Sequence, residues 1–135
     1  MPPRRVEGPL YAFRAWRLRG PGLHSFWGGR AWPEDRPQVG LCWRNFLPVR
    51  VHVAPGEGHN CGLYAWNEPP EDRYSPRGVI PVWGVVELTG RVAVHARGYR
   101  AQYARPVAVE YRPGVQPVAE RYGLVLLEDL TDWSR

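Results

Sequence analysis

The chain has 135 residues, with 18 basic and 13 acidic side chains and a formal net charge of +5; its 15.5 kDa fits one compact domain. Seven Trp, seven Tyr and three Phe among 44% apolar residues provide for a real core, which excludes a disordered chain. No run reaches the roughly 18–20 apolar residues of a membrane span, the first residues lack a signal peptide's apolar stretch, and two cysteines are too few for a disulfide scaffold. These bounds predict a cytoplasmic single domain over 1–135, with 1–9 and 129–135 as frayed ends.

Strand signals dominate in chain order. Residues 10–18 are aromatic-rich and end at the turn signal Gly20-Pro21-Gly22. Residues 39–43 and 49–53 read as short strands. The Pro/Gly-rich stretch 55–77 reads as a long irregular loop, with one helical turn near 63–66. Residues 79–94 and 99–111 are the longest extended segments, and 117–122 forms a short helix capped by Gly123. Residues 124–127 then read as a buried strand before an acidic tail. The spacing predicts an all-β or β-rich α+β fold: a small, partly open β-barrel with a long Pro/Gly-rich loop and one short C-terminal helix.

Every basic residue is Arg, which a GC-rich coding bias would also produce. Their distribution is uneven, with residues 1–50 and 91–112 net positive and 51–90 and 113–135 net negative. A two-residue turn at Arg97-Gly98 would pair Val92 with Tyr103, Val94 with Ala101 and Ala96 with Tyr99 on one apolar face. The other face then carries Arg91, His95, Arg100 and Gln102, with the small Ala93 and Ala104 leaving room for a ligand. Such a face suits an anionic partner, either nucleic acid or an acidic protein surface; it is also what a solvated hairpin face looks like. Arg and aromatic residues interleave again around Trp16, a composition that binds single strands by stacking and phosphate contact. Half-buried rings of this kind are also core formers, which is the reading for Tyr99 and Tyr103.

Both cysteines and two of the four histidines fall between Cys42 and Cys61, in the order Cys42, His52, His59, Cys61. If strands 39–43 and 49–53 pair, Cys42 sits opposite His52, and His59 and Cys61 follow on one side of an extended segment. Two thiolates and two imidazoles suit a closed, tetrahedral, structural zinc site. The alternatives are a mixed-ligand iron–sulfur centre, or two reduced cysteines beside ordinary surface histidines. A Cys nucleophile could be drawn from Cys61 with His59 or His95 and Glu57 or Glu110, but no nucleophile elbow, phosphate loop or zinc-protease motif is present.

Three stretches, Phe13-Arg-Ala-Trp16, Cys61-Gly-Leu-Tyr-Ala-Trp66 and the run from Trp83 to Ala101, resemble a small uncharacterised bacterial protein family with no known activity. In that family a cysteine often stands where this chain has His59. The resemblance therefore implies one zinc ligand exchanged for another; it implies no substrate or reaction. The leading expectation is a non-enzymatic binding module with structural zinc and a basic face. The alternatives are an interaction subunit docking through exposed loops around Trp27 and Trp32, and a small Cys61 enzyme.

Overall fold

The structure is a computed structural model that describes residues 4–26, 29–44, 47–49, 61–71 and 81–134, with 42–44 and 47–49 as backbone alone. It is strand-rich, as expected, with one short helix. The strands are β1 (Arg4–Glu7), β2 (Leu10–Arg19), β3 (Gly22–Ser25), β4 (Gln38–Val39), β5 (Cys42–Arg44), β6 (Leu47–Val49), β7 (Leu63–Trp66), β8 (Val82–Val94), β9 (Gly98–Glu110) and β10 (Val125–Leu127). Helix α1 (Gln116–Tyr122) and a 3-10 turn (Leu130–Asp132) complete the described elements. No helix among the described residues is long and apolar enough to cross a membrane.

The long hairpin β8–β9 is the backbone of the fold. β8 pairs with β2 along Val82–Leu88 and with β1 along Arg91–Val94, while β9 pairs with β7, β4 and β10. β2 and β7 meet at the pair Phe13↔Trp66, which closes a ring of hydrogen-bonded strands β8–β2–β7–β9. Strand alternation sorts β2 between two cores. Ala12 and Trp16, with Leu10 and Leu18 against them, join Leu23, Trp32, Leu63, Ala65, Val86, Leu88, Val92 and Ala101 in the ring's interior. Tyr11, Phe13 and Ala15 face outward, against Trp83, Val85 and the C-terminal Leu127, Leu130 and Trp133. That outer cluster ties the C-terminal end down, and the 3-10 turn is fixed by an Asp129 capping box and by Leu130 N–H donating to the buried Glu110 at 2.7 Å. Helix α1 ends on Gly123 in the left-handed conformation at φ 66°, as the sequence predicts. Its Tyr122 hydroxyl donates to Trp32 O at 2.8 Å and accepts from Leu23 N–H at 3.0 Å, seating the helix against the interior.

Four local expectations need correction. Residues 63–66 form strand β7, not a helical turn, because Leu63 and Ala65 alternate into the core while Tyr64 does not. β5 and β6 pair Cys42 with Val49, Trp43 with Pro48 and Arg44 with Leu47, so Cys42 does not stand opposite His52. The partners Arg44 and Leu47 are separated by two residues, a shorter connection than the loop 44–48 allowed for. The strand after the helix is buried at Leu127 alone; Val125 and Leu126 are exposed at 55% and 41%, since among the described residues β10 pairs only with β9, at the sheet edge.

The fourth correction is the hairpin register. His95 N–H donates to Gly98 O at 2.8 Å, and the strands pair Val94↔Tyr99, Ala93↔Arg100 and Val92↔Ala101. The turn sits one residue earlier than predicted, at Ala96-Arg97, so each partner moves by two residues and keeps its parity. Beyond Val92 the register shifts, with Gly90 and Arg91 facing Gln102 before Thr89 meets Tyr103. Gly90 adopts φ 71°, and a Cβ there would come within 2.5 Å of Gln102 Oε1, so this bulge requires glycine. The bulge separates Ala104 from Arg91 and turns Ala104 into the interior, paired with Leu88.

Candidate anion-binding depression

Register carries one row of side chains across four strands on the outside of the ring. Arg5 of β1 lies opposite Ala93 of β8, which lies opposite Arg100 of β9, which lies opposite Tyr64 of β7. At the turn end of this row is an open depression of about 470 Å³ lined by Gly62, Tyr64, His95, Ala96, Arg97 and Arg100. Tyr64 is 39% exposed and stands edge-on to Trp66, with ring centroids 5.4 Å apart. Its ring lies across Gly98, where a Cβ would meet the Ala65 backbone carbonyl oxygen at 2.3 Å and the Tyr64 hydroxyl at 2.8 Å, so no larger residue fits beneath the ring without moving β7.

Arg100 is 8% exposed and, among the described residues, is held from two directions. Its Nε–H donates to His95 Nε2 at 2.9 Å, and Nη1 donates to Cys61 O at 3.0 Å. Acceptance at Nε2 requires a neutral imidazole with its proton on Nδ1. Burial, and then the adjacent Arg100 charge, hold His95 below the ordinary histidine range. Burial raises the Tyr64 phenol above its usual value, with Arg97 pulling the other way, so the hydroxyl remains a neutral donor at physiological pH. Arg97 and Arg91 are exposed, and among the described residues neither forms an ion pair.

Of the five residues the sequence picks for ligand binding, the fold brings His95 and Arg100 into direct contact. Arg91 and Gln102 meet at the bulge, where Arg91 N–H donates to Gln102 Oε1 at 3.1 Å. The room expected over Ala93 and Ala104 is absent, because these residues are 0% and 1% exposed. Trp16 is a correction: it is fully buried, edge-on to Trp32 with centroids 5.5 Å apart, and offers no face to a partner. Trp32 is likewise 3% exposed and donates its Nε1–H to Ser25 Oγ at 2.8 Å, so it cannot anchor a docking loop; Trp27 lies outside the described residues. Tyr64 and Arg97 were missed. The signal for Tyr64 was the period-two alternation of Leu-Tyr-Ala-Trp, while Arg97 was assigned to the turn.

A third arginine occupies the opposite side of β7. Arg14 shares the parity of Ala12 and Trp16, and its guanidinium stands 4.9 Å from the Trp32 ring centre. Nη1 donates to Tyr64 O at 2.6 Å and Nη2 reaches Ser25 Oγ at 3.5 Å, while Nε is buried without an acceptor. Burial, followed by the charge of Arg30, lowers its pKa to about 10, so it stays protonated at neutral pH. Its position next to Phe13 explains the role. β2 and β7 diverge after the pair Phe13↔Trp66, and the Arg14 side chain spans the gap to a β7 carbonyl.

Of the proposed zinc ligands, His52 and His59 lie outside the described residues, and Cys42 is described as backbone alone. Cys61 is buried. Gly62 N–H donates to Leu41 O at 3.3 Å, and a Cβ on Gly40 would come within 2.9 Å of Gly62 Cα, so the chain at Cys42 runs beside the chain at Cys61. Among the described residues no group of three or more His, Cys, Asp or Glu could hold a metal ion. Comparison with known proteins adds no relative: no family model, curated protein or solved structure matches this chain.

Proposed function

We propose that this protein is a non-enzymatic binding module that takes an anionic partner in the depression at the turn of the β8–β9 hairpin. The observation that carries this reading is the lining: two arginines, one histidine and one tyrosine, with no acidic side chain among the described residues. A single-stranded nucleic acid fits better than an acidic protein surface. The exposed Tyr64 ring offers a base a stacking face while Arg97, in the turn itself, meets a phosphate. Arg100 serves as the rigid floor, because its hydrogen bonds to His95 and Cys61 fix its position. A long stacking track is not part of this reading, since Trp16, Tyr11 and Phe13 are committed to the two cores.

The test is fluorescence anisotropy with a labelled oligothymidylate and, separately, a labelled acidic peptide across a salt series. Oligothymidylate should bind, weaken steeply with salt, and lose about one unit of log–log salt slope in Arg97→Ala. Tyr64→Ala should weaken binding without changing that slope. Preference for the peptide would move the assignment to an acidic protein partner, and binding of neither would overturn the reading.

A structural zinc ion held by Cys42, His52, His59 and Cys61 is a second, separate proposal, supported by the backbone contact between Leu41 and Gly62. Its measure is elemental metal content of untagged protein with a chelator melt. About one equivalent of zinc and a lower melting temperature on chelation are expected, and metal-free, chelator-insensitive protein would sink it.

A further inference from the structure

The depression pairs a titratable acceptor with a buried donor, and this arrangement extends the anion-binding reading on which it rests. In the described state His95 Nε2 accepts the Arg100 Nε–H. A protonated His95 has no lone pair left to accept it, so proton uptake releases that donor and puts two cations side by side. Among the described residues, the groups around His95 do nothing to offset this. They are Arg100 from β9, Arg97 from the turn, the neutral phenol of Tyr64 from β7 and, one row along the same outer face, Arg5 from β1. The acid adjacent in sequence to this corner is Glu68, next to the Asn67 whose N–H bonds Arg97 O, and among the described residues it makes no ion pair. Without a ligand, protonation is therefore opposed. With an oxyanion in the depression, the imidazolium, the released Arg100 Nε–H and Arg97 all face a negative charge, and protonation is favoured.

We infer that a phosphodiester oxyanion of a single-stranded nucleic acid enters this depression together with a proton taken from solvent onto His95, so that binding tightens as pH falls. The depressed titration of the empty site, caused by burial and then by Arg100, agrees with that linkage. The coupling is reciprocal: acid strengthens binding, and binding raises the pH at which His95 titrates. Nothing in this exchange needs a redox partner or a leaving group, since the bond made is the imidazole N–H.

The experiment uses the full chain and an oligothymidylate, whose phosphodiesters keep constant charge over the range. Affinity is measured at constant salt from about pH 7.5 to about pH 5.5, where histidine is the side chain that ordinarily titrates. Each unit by which the bound anion raises the His95 pKa gives about tenfold tighter binding at the acid end. His95→Gln keeps an acceptor for Arg100 but cannot take up the proton. Whatever its affinity at neutral pH, this variant should show no tightening toward acid, which also separates His95 from His24, His52 and His59. Residue-resolved NMR titration of the His95 ring in wild-type protein, with and without oligothymidylate, reads the same coupling and does not depend on the variant folding. Binding with a flat pH profile and an unmoved His95 titration would overturn this inference and leave the binding module standing. Absence of binding at every pH would overturn the module reading itself.

Discussion

Two stretches of this chain look alike in composition and do opposite things. Residues 10–19 and 98–105 both interleave arginine with aromatic rings, and either could serve as a recognition surface. In the first, alternation sends Trp16 into the ring's interior and Tyr11 and Phe13 under the C-terminal segment. Its Arg14 goes inside as well, donating to Tyr64 O across the gap left by the diverging strands. In the second, Arg100 lies on the outer face, fixed by His95 and the Cys61 carbonyl, and beside it the exposed Arg97 makes no ion pair among the described residues. An arginine's role here depends on which side of its strand it occupies and on whether its hydrogen bonds end within the protein.

The comparison breaks most visibly at Trp16. Trp16→Ala removes a completely buried ring that stacks edge-on with Trp32 and lies over Gly84; it should cost about 3–5 kcal/mol in chemical denaturation. Any oligothymidylate affinity that survives in the folded fraction should equal wild type, whereas a Trp16 that contacted the partner directly would lose affinity in proportion. Arg14→Ala comes next. Loss of a charge-assisted hydrogen bond to the Tyr64 carbonyl should cost about 1.5–3 kcal/mol, offset in part because a buried cation without a carboxylate partner disappears with it. An increase in stability would show that the desolvation of Arg14 outweighs its bridging bond.

A smaller effect is expected from acid, and its sign is fixed by the His95 environment. The folded-state pKa lies below the ordinary 6.5, so between that value and 6.5 the unfolded chain binds more protons than the folded one. Stability contributed by neutral His95 is therefore present above about pH 6.5 and is lost as pH falls through the depressed value. Urea midpoints from about pH 7.5 to about pH 5.5 should decline in wild type and decline less in His95→Gln; parallel curves would remove His95 as the cause. Smallest of all is Arg97→Ala, which should leave the melting temperature unchanged, because surface substitutions away from packing features are nearly neutral. Its effect belongs to binding alone.

Much of the fold was legible because hydrophobic period and turn chemistry agree along β2, β8, β9 and α1. The outer grouping of Ala93, His95 and Arg100 survived a wrong register because the error was two residues, and parity decides the face. Ala104 did not survive it. The bulge at Gly90 changes the count between the strands, and a Gly in the middle of an extended run signals a bulge only ambiguously. Strand β7 was missed because its four residues sit among prolines and glycines, where propensity argues for loop and only pairing with β9 argues for strand. The burial of Trp32 was missed for a related reason: its ring packs against Trp16 and Arg14 of β2, and Tyr122 holds its carbonyl from 90 residues away, contacts that no local pattern announces.

Strand β7 has four residue pairs with β9 and one with β2. Mechanically it is a hinged stave, firmly attached along one edge and latched along the other by the rung Phe13↔Trp66 and by Arg14. The same Tyr64 supplies its carbonyl to that latch and its ring to the outer depression, so tension applied to the ring by an occupant is transmitted directly to the seam. Thermal opening of the ring is expected to start there, and amide hydrogens flanking the seam should exchange sooner than those in the middle of β8–β9. Occupancy by the proposed partner should then register as a change in exchange at Phe13 and Trp66, inside a wall away from the depression.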